Sequence, residues 1–276
     1  MVKLENKKKK ENKYDFTIIT VVKDDEYNIE RTIKSVLSQK NIKIQYIVLD
    51  GYSDDRTFKI IKKYNSLVKI LRYKDKSFYD GLNYAITFAK GHYIGILNSG
   101  DIYLNDAVLN KVKNKLKNLD FIFGNISFYN NKNEISRDWN FKFDPKKKIF
   151  FYSIAHSSLF ISSEIMKNHL KNYNLKYKIA SDTDLLIRLN LLQNTSYKKI
   201  NDYLVFMKIG GLSTSRRFFF RKIVEDLTII KSYFSYFFFS IYLKKILIKL
   251  SGFFYFNKKT KLKKQLLITL KQLNEL

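Results

Sequence analysis

Short apolar strands alternate with amphipathic helices along the first part of this 276-residue chain. Residues 16–22 form a continuous run rich in β-branched side chains, which is typical of a parallel strand buried on both faces. Apolar residues then recur at helical spacing behind Asn28, the predicted N-cap of the first helix. This alternation predicts βαβ units and a mainly parallel sheet flanked by helices. Further strands are expected at 44–49, 68–71 and 93–97, and further helices at 57–64 and in the segment that ends at Gly91.

The second half of the chain continues the α/β pattern around a polar, Lys-rich excursion at 130–150 that holds Pro145. The sequence shows no internal repeat. We predict a basic lead-in at 1–13, one α/β domain at 14–215 and a helical C-terminal region at 216–276. Within the α/β domain, the later predicted elements are a helix at 104–116, a strand at 121–129, an apolar segment at 159–161, a helix at 182–192 and a strand at 203–208.

Charge and cysteine content limit the classes of function. The formal net charge is +27, which permits an anionic membrane, a phosphate-bearing substrate or nucleic acid as a partner. Lys outnumbers Arg 44 to 8, whereas base readers rely on bidentate Arg contacts. The chain has no cysteine, which excludes disulfides, thiolate zinc sites and cysteine nucleophiles and fits a reducing cytoplasm. The start of the sequence has no apolar core of the kind found in signal peptides.

The C-terminal region combines basic and aromatic residues. From Lys208 onward there are 15 Lys or Arg and three acidic residues. The densest aromatic stretch, 233–243, is too short to span a bilayer and is followed by Lys244 and Lys245. This composition predicts a basic aromatic helix that lies in the membrane interface.

The turns after the strands indicate the chemistry. In parallel α/β sheets, ligands bind beyond the carboxyl ends of the strands. The first such turn, at 22–28, contains no glycine, and the chain has no Walker A sequence, which argues against dinucleotide-binding and P-loop sites. Acidic and amide residues stand there instead. Asp50 could accept hydrogen bonds from a base or ribose, and Asp101 could bind Mg²⁺ or Mn²⁺, which prefer oxygen ligands.

Three motifs give these turns a family context. They are YDFTIITVVKDDEYNIERTIKSVLSQ, YIVLDGYSDDRTFKIIKKY and KSFYDGLNYAITFAKGHYIGILNSGD. In order, spacing and residue type, the chain resembles the family 2 glycosyltransferases over roughly residues 14–215, and it is most similar to the branch that builds bacterial surface polysaccharides. The resemblance implies a GT-A, Rossmann-like fold and a nucleotide-diphospho-sugar donor, with Mg²⁺ or Mn²⁺ as the ion.

The resemblance also assigns roles to matching positions. The NSGD segment occupies the place of the metal-binding acidic motif, but Asn98 and Gly100 stand where the usual pattern has acids, so Asp101 is the carboxylate left to bind the metal. The residues implied to contact the donor nucleotide or its phosphates are Thr20, Val22, Asp24, Asp50, Asp80, Asn83, Asn98 and Ser99.

The segment IASDTDLLIRLNLL carries the implied general base. Asp182 is the first choice and Asp184 the second, with Asp184 otherwise expected to contact substrate. Without the family, Ser181 or Asp182 at the start of this predicted helix is equally consistent with an N-terminal cap. His156 matches a position expected to contact acceptor or phosphate, and Gly210 begins a loop, GGLS, that resembles one closing over the donor. Arg216, Arg217 and Arg221 could contact phosphate or form a solvated basic face.

We therefore expect an inverting glycosyltransferase that transfers a sugar to a saccharide or lipid-linked acceptor in cell-surface glycan synthesis, such as capsule, lipopolysaccharide or exopolysaccharide. The expected location is cytoplasmic and peripheral, at the inner face of the cytoplasmic membrane. Two alternatives stay open at this point. One is an inactive family member that only binds a partner, and the other is a basic nucleic-acid-binding module, for which the sequence has no recognisable signature.

Overall fold

The computed structural model describes residues 13–140, 151–210, 218–251 and 259–276. Within these ranges the strands join into one nine-stranded sheet with helices packed against it. The strands are β1 (Tyr14–Val22), β2 (Ile44–Asp50), β3 (Lys69–Arg72), β4 (Gly91–Ile96), β5 (Ile102–Tyr103), β6 (Phe121–Tyr129), β7 (Ile135–Trp139), β8 (Leu159–Ser162) and β9 (Tyr197–Lys208). The helices are α1 (Ile29–Leu37), α2 (Thr57–Lys62), α3 (Phe78–Thr87), α4 (Val108–Leu116), α5 (Ser181–Leu191), α6 (Phe219–Phe234), α7 (Phe238–Ser251) and α8 (Lys259–Glu275).

The strand order is β3-β2-β1-β4-β8-β6-β9-β5, and β7 pairs with β6 outside this path. Strands β1 to β4 run parallel to one another, as the sequence predicts. The rest of the sheet is mixed. β8 runs antiparallel to both β4 and β6, β5 runs antiparallel to β9, and only the β6–β9 pair is parallel. The predicted α/β class is confirmed, while the parallel strand pairs lie mainly in the part of the sheet formed by β1 to β4.

The sheet is buried on both faces. Successive residues of β1 point to opposite sides, so Ile19 and Val21 pack into one apolar cluster and Ile18 and Val22 into another. All four side chains are almost fully buried. Covering both faces of a sheet with helices explains why the strand reads as an uninterrupted apolar run rather than as an alternating one.

The predicted boundary at 215/216 is not a boundary in the packing. Ile229 and Ile230 of α6 and Ile241 of α7 are buried in the same cluster as Leu185 of α5. Leu266 of α8 is fully buried in a third cluster against β5, β6 and β9. In the sequence, the apolar stripe that these helices bury is obscured by the aromatic and basic residues around it. Among the described helices, none combines the length and apolar content needed to cross a bilayer.

Several predicted element boundaries shift. The helix expected from 104 begins at Val108, because Ile102–Tyr103 forms a short strand paired with β9. β9 begins at Tyr197 rather than at 203. Gly91 does not end a helix. Helix α3 already ends at Thr87, and Gly91 is the first residue of β4.

Gly91 is required by a close approach between two backbones. A Cβ atom at this position would lie 2.3 Å from the backbone nitrogen of Thr17 and 2.4 Å from the carbonyl carbon of Phe16. Both atoms belong to the central strand β1, which has parallel neighbours on each side and cannot move aside. A side chain here therefore displaces β4 from β1.

We expect Gly91→Ala to lower the free energy of unfolding by about 2–3 kcal/mol, the usual cost of overpacking. Gly51→Ala is the matched control, because its Cβ would meet its nearest neighbours at 3.4 Å, an ordinary contact. Chemical denaturation of both variants and the wild type measures the difference. Equal stability of the two variants would show that β4 accommodates a methyl group.

Candidate active site

A cleft of about 1070 Å³ lies beyond the carboxyl ends of β1 and β4. It brings together residues that are far apart in the sequence, including acidic side chains from the β1–α1 turn, the NSGD segment and the start of α5. The predicted site residues that line it are Val22, Asp24, Asn98, Ser99, Asp101, His156 and Asp182.

Asp101 lies at one side of the cleft and is almost fully buried. Its Oδ1 accepts a hydrogen bond from the backbone N–H of Lys208 at 2.9 Å, and its Oδ2 accepts a longer one from Asn98 Nδ2 at 3.4 Å. Burial raises the pKa of Asp101 to about 7, against the lowering effect of these hydrogen bonds. Asn98 Oδ1 is buried and has no hydrogen-bond partner among the described residues.

The structure explains the missing acid at position 100. Gly100 has φ of +90°, a conformation that side-chain-bearing residues rarely adopt, and its Cβ would lie 3.2 Å from Cβ and Cδ of Lys208. Lys208 thus occupies the space that a carboxylate at position 100 would need. Its ammonium donates to Asn28 Oδ1, and Asn28 Nδ2 donates to Asp25 at 2.5 Å. Asn28 is the N-cap residue of α1, as predicted, but its side chain makes no capping hydrogen bond because its amide is used in this network.

The donor set around Asp101 suits a hard divalent cation. Asn98 contributes an unpaired amide oxygen, and Asp101 Oδ2 is held by one long hydrogen bond. Asp25, whose Oδ2 accepts from Ser99 at 2.6 Å, also lines the cleft and raises the pKa of Asp101 through charge repulsion. Oxygen ligands of this kind match the preferences of Mg²⁺ and Mn²⁺. No cluster of three or more carboxylate, thiolate or imidazole groups that could hold a metal ion occurs in the described ranges.

Asp182 lies in the same cleft, in the first turn of α5. Its Oδ1 accepts hydrogen bonds from the Tyr79 hydroxyl at 3.3 Å and from the backbone N–H of Thr183 at 2.9 Å, and it lies 4.0 Å from Lys222 Nζ. Burial opposes ionisation of this carboxyl, but nearby cations, Lys222 first, outweigh it and the pKa of Asp182 is lowered. An ionised carboxylate that faces a cleft can accept a proton from a bound hydroxyl.

His156 lies close to Asp182 and also lines the cleft. Its Nε2 shares a short hydrogen bond with the hydroxyl of Tyr173, and the two rings meet edge to face. Burial lowers the pKa of His156, so the imidazole is neutral near pH 7. The predicted substrate contact is therefore sterically available, with a neutral ring.

Thr20 and Asp50 are buried beneath the cleft and do not line it. Thr20 Oγ1 donates to the carbonyl of Leu97 at 2.7 Å. Asp50 is fully buried, forms an ion pair with Arg72 at 3.1 Å and accepts a hydrogen bond from the backbone N–H of Ser53. Both residues fix the strand ends from within, because their side chains are committed to neighbouring strands and turns. Their predicted contact with a nucleotide stays a prediction.

Asp80, Asn83 and Asp184 also lie outside the cleft lining. Asp80 accepts from the backbone N–H of Lys76 and stabilises the start of α3. Asn83 uses both ends of its amide on the backbone of Tyr173. Asp184 is buried in an ion pair with Arg188 at 2.8 Å. It lies two residues after Asp182, and a step of two residues along a helix rotates the side-chain direction by about 200°.

Sequence reasoning missed other residues of the cleft. Asp75 lines it, with its Oδ2 2.7 Å from the position that a Cβ of Gly81 would take, so the glycine leaves room for this carboxylate. Lys222 and Lys245 enter the cleft from α6 and α7. Their positions carry no local signal, since each is one lysine among many in a basic tail.

Of the loop expected to close over the donor, Gly210 lines the cleft, and residues 211–217, with Arg216 and Arg217, lie outside the described ranges. Arg221 pairs with Glu225 at 3.0 Å.

Comparisons with known proteins agree with this geometry. Residues 17–228 match the family described as glycosyl transferase family 2, and the chain belongs to that family. It is therefore a glycosyltransferase with the predicted GT-A type of α/β fold. The match extends past residue 215 into α6, which agrees with the packing of that helix.

Two curated relatives illustrate the sequence similarity. The chain is 25% identical over 191 residues to the UDP-Glc:α-D-GlcNAc-diphosphoundecaprenol β-1,3-glucosyltransferase WfgD of Escherichia coli, covering 68% of this chain and 74% of that one. It is 27% identical over 197 residues to the chondroitin synthase of Pasteurella multocida, covering 68% of this chain. The match spans only 20% of the length of that synthase.

Two solved structures share the fold. The complex of S. aureus TarS 1-349 with UDP-GlcNAc aligns with a TM-score of 0.61 and 16% identity, covering 79% of this chain and 66% of that one. The mannosyltransferase PcManGT from Pyrobaculum calidifontis, in complex with GDP-Man and Mn²⁺, aligns with a TM-score of 0.56 and 13% identity, covering 96% of this chain and 76% of that one. At these identities the likeness is one of fold.

Proposed function

We propose that this family 2 glycosyltransferase moves a sugar, with inversion, from a nucleotide-diphospho-sugar to a hydroxyl of a saccharide or lipid-linked saccharide acceptor in cell-surface glycan synthesis. The observation that carries the proposal is the cleft itself, which holds an ionised carboxylate, Asp182, together with the oxygen cluster around Asp101 and Asn98. The relatives named above, which include a transferase to a lipid-linked sugar and a glycan synthase, support the class of acceptor.

The proposed reaction is a single in-line displacement. Asp182 accepts the proton of the acceptor hydroxyl while that oxygen bonds to the anomeric carbon of the donor sugar. The bond from the anomeric carbon to the β-phosphate oxygen breaks, and its electron pair leaves with the nucleoside diphosphate. Attack from the face opposite the leaving group inverts the anomeric centre. The cleft contributes by holding the two reactants in line and by placing the base within reach of the hydroxyl.

The donor is proposed to bind at the β1–β4 end of the cleft. Val22, Asp24 and Ser99 line the cleft there and retain their proposed contacts with the base, ribose and phosphates. Lys23 and Lys208 add positive charge for a diphosphate, in a cleft that also has several carboxylates. Asn98 and Asp101 are the residues proposed to hold Mg²⁺ or Mn²⁺, and the ion would supply positive charge to the departing diphosphate. The base of the nucleotide and the sugar are left open between UDP- and GDP-sugars.

The first prediction concerns Asp182. We expect Asp182→Asn to reduce donor turnover by about 10²–10⁴-fold, the range lost with a general base, because the amide cannot accept the proton. The assay is hydrolysis of a panel of UDP- and GDP-sugars with Mn²⁺, with water as the acceptor. Asp106→Asn, a partly exposed acid outside the cleft, serves as the control and should retain wild-type activity.

Wild-type turnover by Asp182→Asn would remove the assigned base. A wild-type protein that binds a nucleoside diphosphate but turns over no donor in the panel would favour the inactive, partner-binding alternative. The family match already favours an enzyme over a nucleic-acid-binding module.

The second prediction concerns the metal. Because a ligand that binds only the folded state raises the melting temperature, Mn²⁺ should increase the stabilisation that UDP or GDP gives the wild type. We expect Asp101→Asn, which is isosteric, to keep the nucleotide-only shift and to lose the added effect of Mn²⁺. Mg²⁺ and Ca²⁺ provide comparison ions. The metal assignment fails if Mn²⁺ adds nothing to the wild type or adds equally to both proteins.

Membrane attachment is proposed to run through the outer face of α6 and α7. Phe239, Leu243, Leu247 and Leu250 recur at helical spacing along α7 and are each about half exposed or more. Tyr236, before α7, is 96% exposed. The exposed cations on the same helices include Lys231 and Lys244. An apolar stripe with flanking lysines is typical of helices that lie in an anionic membrane interface, here proposed to be the inner face of the cytoplasmic membrane.

The third prediction tests this attachment by surface substitution, because deleting α6 and α7 would also remove core residues. We expect Phe239→Gln with Leu247→Gln to lower the fraction that sediments with phosphatidylglycerol vesicles by more than about tenfold, since two apolar side chains leave the bilayer. Tyr27→Gln with Leu67→Gln, two exposed apolar residues outside these helices, is the matched control. Equal sedimentation of the two double variants would contradict the proposed face.

A further inference from the structure

Helix α6 holds the start of α5 from the C-terminal side. Glu225 accepts hydrogen bonds from three consecutive backbone N–H groups, those of residues 178–180, just before α5 begins. Asp226 accepts from Thr183 Oγ1 at 2.7 Å. Two neighbouring acids of α6 are therefore attached to the turn that carries Asp182, so the position of this carboxylate depends on α6.

A second cation from α7 is already neutralised. Lys245 is buried, and its ammonium donates to Thr183 Oγ1 at 2.7 Å and to Asp226 Oδ1 at 2.8 Å. Asp226 is itself only 2% exposed. Lys245 and Asp226 thus form a hydrogen-bonded ion pair, and each charge offsets much of the effect of the other on nearby groups.

Lys222 differs from Lys245. Its side chain is 14% exposed and lines the cleft, and its Nζ lies 4.0 Å from Asp182 Oδ1, beyond hydrogen-bond distance. At this separation in a poorly solvated site the attraction between the charges is still strong. The contact stabilises a negative charge on Asp182 without donating a proton to it, which suits a carboxylate that must accept a proton from another group.

We propose that Lys222 is a positioning residue that keeps Asp182 ionised in the cleft, so that α6 is part of the catalytic apparatus as well as of the attachment face. The proposal rests on the proposed function, because it takes Asp182 as the base. It gives the C-terminal region a role in catalysis, whereas the composition of that region predicts contact with the membrane.

The other groups facing Asp182 stabilise its charge less than Lys222 does. His156 contributes after Lys222, and burial lowers the pKa of that imidazole, so the ring is neutral near pH 7. Tyr79 and Tyr173 remain protonated because burial raises the pKa of each hydroxyl, so they can donate hydrogen bonds but carry no positive charge. Lys245 also lowers the pKa of Asp182, but it is hydrogen bonded to Asp226, which repels a charge on Asp182. Lys222 also attracts Asp226 and Glu225, but Asp182 is its strongest acidic partner, so Lys222 is the cation that most favours the ionised carboxylate.

The expected consequence is a pH effect. Activity requires the ionised form of Asp182, so the rate falls as the pH drops through the pKa of that carboxyl. Loss of Lys222 removes a lowering influence on this pKa, and the acid limb of the profile moves to higher pH. We expect Lys222→Met to move it by about one pH unit, the lower end of the usual effect of one nearby opposite charge. Activity should recover at higher pH, since the base itself is intact.

The experiment records donor hydrolysis against pH for wild type, Lys222→Met, Lys222→Arg and the control Lys231→Ala, which removes an exposed cation from the same helix. Lys222→Arg keeps the charge and should keep the wild-type acid limb, as should Lys231→Ala. Melting temperature and affinity for UDP or GDP, measured by calorimetry, report folding and donor binding. Lys222→Gln is a second neutral variant of different shape, and the profile of whichever neutral variant is folded decides the result.

Three outcomes separate the hypotheses. If Asp182→Asn is inactive and the acid limb moves in the neutral variants but not in Lys222→Arg, the inference is supported. An unmoved acid limb, or a loss confined to nucleotide affinity, would overturn it and assign Lys222 to packing or phosphate binding, while the proposed function stands. Undiminished activity of Asp182→Asn would instead refute the proposed function. If neither neutral variant folds, Lys222 is a structural residue and the inference is wrong.

Discussion

The central strand β1 is hydrogen bonded on both sides to parallel strands, β2 and β4, and the position of the cleft follows from that pairing. Parallel pairing brings the carboxyl ends of all three strands to one edge of the sheet, where Val22 pairs with Asp50, and Leu97 is hydrogen bonded to Ile19 of the same central strand. Gly91 permits the close contact of β4 with β1, and Thr20 ties the strand ends together through Leu97. The polar turns can form a common site only because this apolar framework holds them in register.

The local sequence pattern was enough to predict this framework, but it was not enough to predict which distant segments pair. An apolar run such as Phe16–Val22 and the helical spacing behind it are visible within about ten residues, which is the scale on which periodicity operates. The antiparallel pairing of β8 with β4 depends on contacts between segments more than sixty residues apart in the chain. The burial of Ile229 and Ile230 depends in the same way on the distant helix α5. Nothing in the neighbouring sequence records those partners.

The site shows the same division at the level of side chains. Family resemblance and turn position predicted that Asp50, Asp101 and Asp182 would converge on one cleft; Asp101 and Asp182 line it together with His156, whereas Asp50 is buried beneath it. The resemblance ranked Asp182 above Asp184 as the base, but it expected both acids to face the substrates. Asp182 and Asp184 are two residues apart in one helix, and only the packing of that helix places one in the cleft and the other in an ion pair with Arg188. Lys222 was missed because a cation that is buried and one that is solvated look identical in a lysine-rich sequence.

In the C-terminal region, helical periodicity separates the residues into an inner face, which packs on the core and the cleft, and an outer face, which is exposed. Lys222 and Asp226 of α6 are four residues apart and lie on the inner face of the helix, with Lys222 in the cleft and Asp226 buried, whereas Phe220 and Val224, offset by two residues, are exposed. Helix α7 repeats the arrangement, with Ile241 and Lys245 directed inward and the Phe239 row directed outward. The net charge therefore overstates the cations available to a membrane, because some of them compensate buried acids. The same two helices that would hold the enzyme at a bilayer also set the charge beside its proposed base, so a displacement of α6 on the membrane would be felt directly at Asp182.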